Sequence, residues 1–382
     1  MEKTIEQAFA VPFHYRVCFS ENIFEEENTL LAKLLGKEKK PKIFVVIDGG
    51  VVKAHPGLIN QIKVYATAFE EDFTLCAEPM IVPGGEQAKN EQHHFRAILD
   101  ATNTYGIDRH SYIIAIGGGA VIDMVGFSSA IAHRGIRHIR IPTTVLAQND
   151  AGIGVKNGIN VYGKKNYLGT FAPPYAVIND STFLKTLNDK DWRCGISEAI
   201  KVSLIKEPDF FHWLEAHIDQ LNSREMPPME ELIYRCAALH LEHIAGKDPF
   251  EAGSSRPLDF GHWAAHKLEH MTNFRIRHGE AVAIGVALDS TYSCLKGMLS
   301  QDELKRIIHL IKALGFVLYV PELSGEALLE GLEEFREHLG GELTIMLLQG
   351  IGRGVEVHEM NGDLILQSAN RLKAFMDEKI AV

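Results

Sequence analysis

The sequence contains few cysteines, and their placement argues against a disulfide framework. Five are scattered through 382 residues, and no pair has the C-x-x-C spacing of redox or zinc motifs. Domains stabilised by disulfides use paired cysteines in an oxidising compartment. The stretch MEKTIEQAFAVPFHYRV carries acidic residues and lacks the basic and apolar regions of a signal peptide. These features predict reduced thiols in a cytoplasmic protein.

Long apolar runs and an excess of positive charge are also missing. No run approaches the roughly 20 apolar residues that a membrane-spanning helix needs, so we expect no membrane partner. The chain has 39 Lys and Arg against 50 Asp and Glu, a formal charge of −11. This balance argues against a nucleic-acid partner, because phosphate backbones are bound by clustered basic residues. A phosphorylated small substrate would need a local basic pocket.

The pattern of the chain changes near residue 188. From KIFVVIDGG to AVINDSTFLKTL, apolar strands alternate with amphipathic helices, which predicts a parallel sheet. From about Asp189 the pattern is almost entirely helical. We therefore predict an α/β Rossmann-like domain over 1–188 and an all-α domain over 189–382. The segment 148–174 is rich in Gly, Asn and Lys, and a loop of that length is usually functional or disordered; its apolar residues favour a functional loop.

The segment SYIIAIGGGAVIDMVGF predicts a strand, a glycine turn and a helix. Gly118 and Gly119 would let backbone N–H groups approach a pyrophosphate at the helix N-terminus. The segment is not the G-x-G-x-x-G fingerprint, so a plain strand-to-helix turn is the alternative. Asp48, at the tip of an earlier strand, and Glu86 and Lys89 in PGGEQAKN have side chains suited to ribose hydroxyls and nearby polar groups.

The stretch SRPLDFGHWAAHKLEHMTNFRIRHGE contains a candidate metal site. His262 and His266 lie one helical turn apart, and His278 follows a short loop. A catalytic zinc site uses three protein ligands and leaves one position open. Glu198 could supply an acidic ligand, and Lys201 shares its helix face among apolar neighbours, where charges need partners. The alternatives are histidines of the surface or core and an ordinary ion pair.

Basic side chains in the long loop and after the glycine helix are candidates for phosphate recognition. Lysines near asparagines suit phosphate and hydroxyl groups, and the alternative is solvated loop lysines. The residues are Lys156, Lys164, Lys165, Asn160 and Asn166. Arg134, in AHRGIR, is either a further phosphate ligand or a surface arginine.

Taken together, these motifs resemble the sugar-phosphate cyclases, the family of 3-dehydroquinate synthase. The motifs that carry the resemblance are PGGEQAKN, GGGAVIDMVGF, RGIRHIRIPTT, KKNYLG, GISEAIK and DFGHWAAH followed by RHGEAVAIG. They occur in one order over nearly the whole chain, so chance agreement is improbable. The resemblance implies the dehydroquinate synthase-like fold, a homodimer, tightly held NAD and a divalent metal, zinc or cobalt.

The resemblance also implies a role for each matching residue. Metal ligands fall on Glu198, His262 and His278, and an active-site histidine near the substrate phosphate falls on His266. NAD contacts fall on Asp48, Glu86, Lys89, Gly118, Gly119, Asp123, Thr143, Thr144, Asp150, Lys165 and Thr186. Substrate contacts fall on Asp150, Lys156, Lys165, Asn166 and Lys201. Arg134 matches an arginine that one subunit lends to the substrate phosphate of its partner.

The implied reaction is a cycle that regenerates NAD. Hydride transfer to NAD makes a ketone, which acidifies the neighbouring C–H so that phosphate can be eliminated. Hydride then returns, the ring opens and an intramolecular aldol reaction closes a carbocycle. The net reaction is therefore a phosphate-eliminating lyase reaction on a sugar phosphate.

The sequence departs from 3-dehydroquinate synthase where that enzyme meets its substrate carboxylate. The family asparagine of LNFGH is Asp259 here, the arginine position is Ser255 with Arg256 displaced by one, and the lysine position is His240. A carboxylate at Asp259 would repel a substrate carboxylate in a confined site. We therefore predict a ketose phosphate without a carboxylate.

Two subgroups and two other functions remain open. The loop GVKNGINVYGKKNYLGTFAPP is similar to that of sedoheptulose 7-phosphate cyclases of the epi-valiolone synthase type, which favours a sedoheptulose 7-phosphate-like substrate. DFGHWAAH differs from that branch's GHTWSP and resembles EboD-type proteins. The alternatives are a true 3-dehydroquinate synthase and a metal-dependent polyol dehydrogenase, which shares the fold and the histidine motif.

Overall fold

A computed structural model describes residues 3–36, 40–246, 248–250 and 257–377. The chain divides into two compact units, Met1–Pro142 with Val155–Asp180, and Thr143–Gly154 with Ser181–Val382. The predicted boundary was 188/189, whereas here the second unit begins at Ser181 and also includes Thr143–Gly154. Val145 explains this assignment, since its side chain is part of the hydrophobic core of the helical unit.

The first unit is built on a seven-stranded sheet. In chain order its strands are β1 (Arg16–Ser20), β2 (Lys42–Asp48), β3 (Thr74–Leu75), β4 (Met80–Val82), β5 (Tyr112–Gly117), β6 (Arg137–Pro142) and β9 (Ala176–Asp180). The strands β7 (Lys156–Val161) and β8 (Lys164–Phe171) lie between β6 and β9 in the chain and are not part of this sheet. The order is β1-β9-β6-β5-β2-β3, with β4 also paired to β2. Every pairing in this sheet is parallel.

Helices connect the strands of this sheet, as parallel pairing requires. They are α1 (Leu30–Leu35), α2 (Gly49–Ala54), α3 (Leu58–Ala68), α4 (Gln87–Asn90), α5 (Gln92–Thr104) and α6 (Gly119–Ile131). The central strands β2 and β5 are buried along almost their whole length. The α/β Rossmann-like fold predicted for this part of the chain is confirmed.

The segment 148–174, predicted as a loop, contains regular structure. A π-helical turn spans Ala147–Ala151, and β7 and β8 form an antiparallel hairpin. Gly158 and Gly169 face each other across the hairpin, where a Cβ on Gly158 would lie 3.0 Å from the Leu168 carbonyl oxygen. The close approach of the two backbones explains why glycines occur here. Glycine usually weakens a strand, so these residues favoured a loop in the sequence.

The second unit is helical, as predicted, with one added hairpin. Its helices are α7 (Asp189–Cys194), α8 (Ile196–Lys206), α9 (Pro208–Ala216), α10 (Ile218–Asn222), α11 (Met226–Ile244), α12 (His262–Met271), α13 (His278–Leu295), α14 (Gln301–Ala313), α15 (Glu326–His338) and α16 (Gly362–Asp377). The antiparallel hairpin β10 (Ile345–Gly350) and β11 (Arg353–Val357) is absent from the all-α prediction.

The helix α13 is the centre of the second unit. Fifteen of its residues, between Gly279 and Cys294, are buried, so it has no solvent-exposed polar face. The start of α12 approaches it closely at Gly285, where an added Cβ would overlap the Gly261 carbonyl group. Within the described ranges, no helix combines the length and the apolar character that a bilayer crossing requires.

Candidate active site

Three predicted metal ligands lie together in the second unit. Glu198 comes from α8, His262 from the first position of α12 and His278 from the first position of α13. The Nε2 atoms of His262 and His278 lie 3.8 and 3.9 Å from Oε1 of Glu198. One ligand atom from each residue lies within 4.8 Å of the other two. The arrangement can hold one cation at a common point.

The second ring nitrogen of each histidine is also engaged. Nδ1 of His262 lies 3.3 Å from the carbonyl oxygen of Phe260, and Nδ1 of His278 lies 3.1 Å from Oε2 of Glu269. Such outer contacts fix the tautomer and the ring orientation of ligating histidines. They leave Nε2 of both rings directed towards Glu198. Glu269, which is buried, was missed from the sequence, although its i, i+7 spacing from His262 places it on the same helix face.

The charges of this cluster fit a divalent cation. In the described part of the chain neither oxygen of Glu198 accepts a hydrogen bond of ordinary geometry, although the Lys201 ammonium makes an ion pair with Oε2. Burial raises the pKa of Glu198, and Lys201 offsets only part of that effect. Burial and the neighbouring positive charges hold the pKa of His262 well below its usual value, so its imidazole is neutral. A carboxylate and neutral imidazoles are the ligands that zinc and cobalt accept.

The third predicted histidine, His266, lies beside the other two. Its ring centroid is 5.7 Å from that of His262 and 6.0 Å from that of His278. It also forms a potential ligand group with Glu269 and His278. The structure therefore brings His266 to the metal cluster and leaves its contact with a substrate phosphate as a prediction.

Acidic side chains lie around Lys201. Asp150, in the π-helical turn, has its Oδ1 3.0 Å from Nδ1 of His240 on α11. Burial raises the pKa of Asp150, but the His240 hydrogen bond and the Lys201 charge lower it more, so the carboxyl is ionised. Burial lowers the pKa of Lys201, and the negative charges of Glu198, Asp150 and Asp259 raise it further than burial lowers it. One ammonium thus faces three carboxylates.

The predicted NAD residues of the first unit gather where the parallel strands end. Asp48 caps α2 by accepting a hydrogen bond from Gly50 N at 2.7 Å. A Cβ on Gly117, at the end of β5, would lie 3.0 Å from Cβ of Asp48, so the two strand ends meet. Gly118, with an extended backbone, is the N-cap of α6. Ligands of open α/β sheets bind at the carboxyl ends of the strands.

Lys89 and Glu86 connect this edge to the β7–β8 hairpin. Lys89 Nζ, which is buried, donates to Asp123 Oδ2 at 2.7 Å and also contacts the Asn166 side chain. Glu86 Oε1 accepts a hydrogen bond from Asn160 Nδ2 at 2.7 Å. Asn160 Oδ1 also accepts a hydrogen bond from Asn166 N at 2.8 Å, so five polar residues of the predicted sites form one network.

The remaining predicted residues lie in other segments of the chain. Thr144 Oγ1 accepts a hydrogen bond from Ala147 N at 3.1 Å, Thr186 Oγ1 donates to the Phe183 carbonyl at 3.3 Å, and Thr143 is buried. Lys156 and Arg134 are exposed, Lys165 is half-buried, and Ser255 and Arg256 lie outside the described residues. Their roles, and the homodimer that Arg134 would need, stay predictions.

Comparison with known proteins decides the family. The 3-dehydroquinate synthase N-terminal model matches residues 79–194, and the C-terminal model matches residues 195–336. The chain is 35% identical to 3-dehydroquinate synthase of Nitrosospira multiformis, covering 76% of this chain and 80% of the relative. It is 33% identical to the enzyme of Xylella fastidiosa, covering 93% and 95%. The chain belongs to the 3-dehydroquinate synthase family. The predicted resemblance is confirmed.

Solved structures place this family member among the sugar-phosphate cyclases. It resembles 2-epi-5-epi-valiolone synthase ValA from Streptomyces hygroscopicus subsp. jinggangensis, solved with NAD+ and Zn2+ bound, with a TM-score of 0.87 and 28% identity over 97% of this chain and 99% of ValA. A 2-deoxy-scyllo-inosose synthase complexed with carbaglucose-6-phosphate, NAD+ and Co2+ has a TM-score of 0.77 at 21% identity, covering 93% and 96%. The latter likeness shows the fold alone.

Proposed function

We propose that this enzyme is an NAD- and metal-dependent cyclase that converts a phosphorylated ketose without a carboxylate into a carbocycle and releases phosphate. One observation carries the proposal. A buried lysine, Lys201, is set among three carboxylates beside a pair of histidines that can hold a metal. This charge pattern is suited to a substrate whose reacting end carries hydroxyl and carbonyl groups.

Glu198, His262 and His278 would hold the metal, zinc or cobalt. When bound, such an ion would polarise a ring hydroxyl and stabilise the negative charge that develops there during hydride transfer. The neutral state of His262 and the outer contacts of both histidines support this assignment. The zinc bound by ValA, the similar protein of known structure, supports it as well.

The first unit would hold NAD at the ends of β2 and β5. Gly118 and Gly119 lie at the N-terminus of α6, and backbone N–H groups at such a position bind pyrophosphate. Asp48, with its carboxylate at the strand end, would accept hydrogen bonds from ribose hydroxyls. The network of Lys89 and Asp123 would hold that edge in place. The NAD+ bound by ValA supports this part of the proposal.

Residues of the second unit would bind the substrate and move its protons. Lys201 is held in the charged form by its acidic neighbours and would donate hydrogen bonds to a substrate oxygen. Oδ1 of the ionised Asp150 lies 3.0 Å from Nδ1 of His240 and would orient that ring. His240 would then exchange protons with the substrate during ring opening and the aldol step.

Asp259 is the basis for excluding a substrate carboxylate. Its negative charge acts on Lys201, so it lies near the residues that would bind the substrate. A second carboxylate at roughly 4–6 Å would be repelled by about 3–4 kcal/mol at an effective dielectric constant of 20. Sedoheptulose 7-phosphate lacks that group and is the substrate we propose, with a product of the epi-valiolone type.

A true 3-dehydroquinate synthase is the second candidate. The observation in its favour is the name of the relatives, which are 3-dehydroquinate synthases at 30–35% identity. Its substrate carries a carboxylate, so it requires Asp259 to be neutralised or turned away.

The class of reaction can be tested with the purified protein supplied with Zn2+, NAD and sedoheptulose 7-phosphate. We expect many equivalents of phosphate per protein without accumulation of NADH, because the hydride returns within each cycle. Chelation of the metal, or the variant Glu198→Gln, should abolish release, and the matched variant Glu303→Gln should not. Accumulation of NADH in proportion to substrate, without phosphate, would instead indicate a polyol dehydrogenase.

A further inference from the structure

A buried carboxylate, Asp289, has no part in the chemistry proposed above. It lies in the middle of α13 and is 0% exposed. Its oxygens accept hydrogen bonds from Trp263 Nε1 at 3.0 and 3.2 Å and from the Gly261 backbone N at 3.1 Å. These two donors belong to the residues immediately before and after His262. Asp289 thus holds the chain on both sides of a proposed metal ligand.

The backbone around His262 has little freedom to adapt. Gly261 adopts a φ of +76°, a conformation that favours glycine, and a Cβ there would lie 2.5 Å from Val286 N of α13. The Trp263 side chain is 1% exposed. Because the turn is packed directly against α13, a change in the Asp289 contacts must move the first residue of α12, which is His262.

Burial of the Asp289 carboxyl is unfavourable for the free energy of folding. Burial raises its pKa to about 7, and the hydrogen bonds from Trp263 and Gly261 oppose that rise only in part. A carboxylate in an apolar core lowers stability unless its partners compensate. Its oxygens do, however, accept hydrogen bonds from donors at the N-terminus of α12, where backbone N–H groups lack partners within the helix. The location of this group therefore points to positioning of the turn rather than to stability of the core.

We propose that Asp289 and Trp263 are positioning residues for His262, which fix the turn so that Nε2 of His262 faces Glu198 and thereby raise the affinity of the site for its divalent metal. The proposal rests on the metal site described under the proposed function. It needs no contact of Asp289 or Trp263 with the metal or the substrate.

The test is zinc affinity, measured by competition with a chromophoric chelator. Asp289→Asn keeps the volume of the side chain but loses an acceptor, and Trp263→Phe removes the indole N–H. We expect Asp289→Asn to weaken zinc binding by about tenfold or more, as loss of outer contacts does, and Trp263→Phe to weaken it by at least about threefold. The double variant should lose no more than Asp289→Asn alone, because the two side chains act as one unit. The absorption spectrum of the Co2+-loaded protein should change in both single variants.

Two controls separate positioning from general damage. Trp192 is also buried and donates its indole N–H to a backbone oxygen, that of Leu221 at 2.9 Å, so Trp192→Phe removes a similar bond elsewhere in the unit. It should leave zinc affinity unchanged. A His93→Ala, His94→Ala variant removes an exposed potential ligand group with Glu91 and corrects for zinc bound there. Near-ultraviolet circular dichroism should confirm that each variant is folded.

The outcomes distinguish this inference from the proposed metal site. A wild-type protein that binds no zinc would overturn both. If the wild type binds zinc and both Asp289→Asn and Trp263→Phe bind it with the same affinity, only the positioning role is overturned. Should Asp289→Asn not fold, the wild type supplies a second measurement. Because coupling is reciprocal, zinc should slow hydrogen exchange of the Trp263 indole more than that of Trp192. Equal exchange with and without zinc would contradict the proposal.

Discussion

At the scale of single residues, the proposed metal site depends on groups that would not touch the metal. The buried Glu269 holds Nδ1 of His278, and the Phe260 carbonyl holds Nδ1 of His262. The family motifs were sufficient to predict Glu198, His262 and His278 as ligands, and the structure brings these three side chains together. The motifs could not identify Glu269 or Asp289, since a glutamate or an aspartate in a helix is usually exposed, and only packing shows that these two are buried.

Removing the charge of Glu269 should weaken zinc binding. Glu269→Gln keeps the shape of the side chain, but it accepts a weaker hydrogen bond from His278 and no longer raises the basicity of that ring. We expect zinc affinity to fall by about 10–100-fold, as measured by chelator competition. Glu303→Gln, which alters another hydrogen-bonded carboxylate, should bind zinc like the wild type. Wild-type affinity in Glu269→Gln would show that the contact has no role in the site.

Asp289 should make stability depend on pH. The pKa of its carboxyl is about 7 in the folded protein against an ordinary value of 3.8, so between these values the folded state binds the extra proton. The free energy of unfolding should therefore fall as pH rises from 5 to 7, by about 1.4 kcal/mol per pH unit. Asp289→Asn lacks this titration.

Urea unfolding at pH 5, 6 and 7, with chelator present, measures the difference between the wild type and Asp289→Asn. We expect the wild type to lose stability relative to the variant as pH rises. A difference that stays constant over this range would mean that Asp289 is already ionised in the folded protein at pH 5.

At the scale of elements, the site depends on close contacts between helices. The N-terminus of α13, which carries His278, lies directly against the end of α7. A Cβ on Gly279 would lie 2.6 Å from Cα of Cys194. Such contacts are between distant parts of the sequence, and a single sequence shows a glycine without showing what approaches it. For the same reason the sequence predicts a loop where the β7–β8 hairpin forms, since glycines that permit close approach of two backbones also weaken a strand pattern.

Adding a methyl group at this contact should separate the helices. We expect Gly279→Ala to lower the free energy of unfolding by about 1–3 kcal/mol, because the neighbour is backbone and must shift. Zinc affinity should fall too, since His278 precedes the altered residue. Gly57→Ala is the matched control, because Gly57 has a φ of −84° and no atom within 4 Å of an added Cβ. Thermal unfolding and zinc titration of both variants test this prediction. Equal stability and equal zinc affinity of Gly279→Ala and Gly57→Ala would contradict it.

At the scale of the whole molecule, the sequence was sufficient for the family, the α/β unit and the helical unit. Alternating strands and helices carry the fold class, and ordered motifs carry the family. The assignment of Thr143–Gly154 to the helical unit could not be predicted, because it depends on Val145 packing in a core formed by distant helices. In the function we propose, substrate choice likewise depends on charges that the fold gathers, namely Asp150, Glu198 and Asp259 around Lys201.

Neutralising Asp259 should change the preference for substrate. We expect Asp259→Asn to raise the ratio of kcat/KM for the heptulosonate phosphate over that for sedoheptulose 7-phosphate by about tenfold or more, because about 1.4 kcal/mol of repulsion is a factor of ten. Asp302→Asn removes an exposed carboxylate from the same unit and should leave the ratio unchanged. An unchanged ratio in Asp259→Asn would show that the charge of Asp259 does not determine the preference for substrate.

The most direct test of the proposed function is phosphate release by the wild-type protein, loaded with zinc and NAD and given each substrate separately. The account predicts release from sedoheptulose 7-phosphate and little or none from the heptulosonate phosphate, with NMR identifying a carbocyclic product. Release from the heptulosonate phosphate alone would contradict it and establish a 3-dehydroquinate synthase that tolerates Asp259.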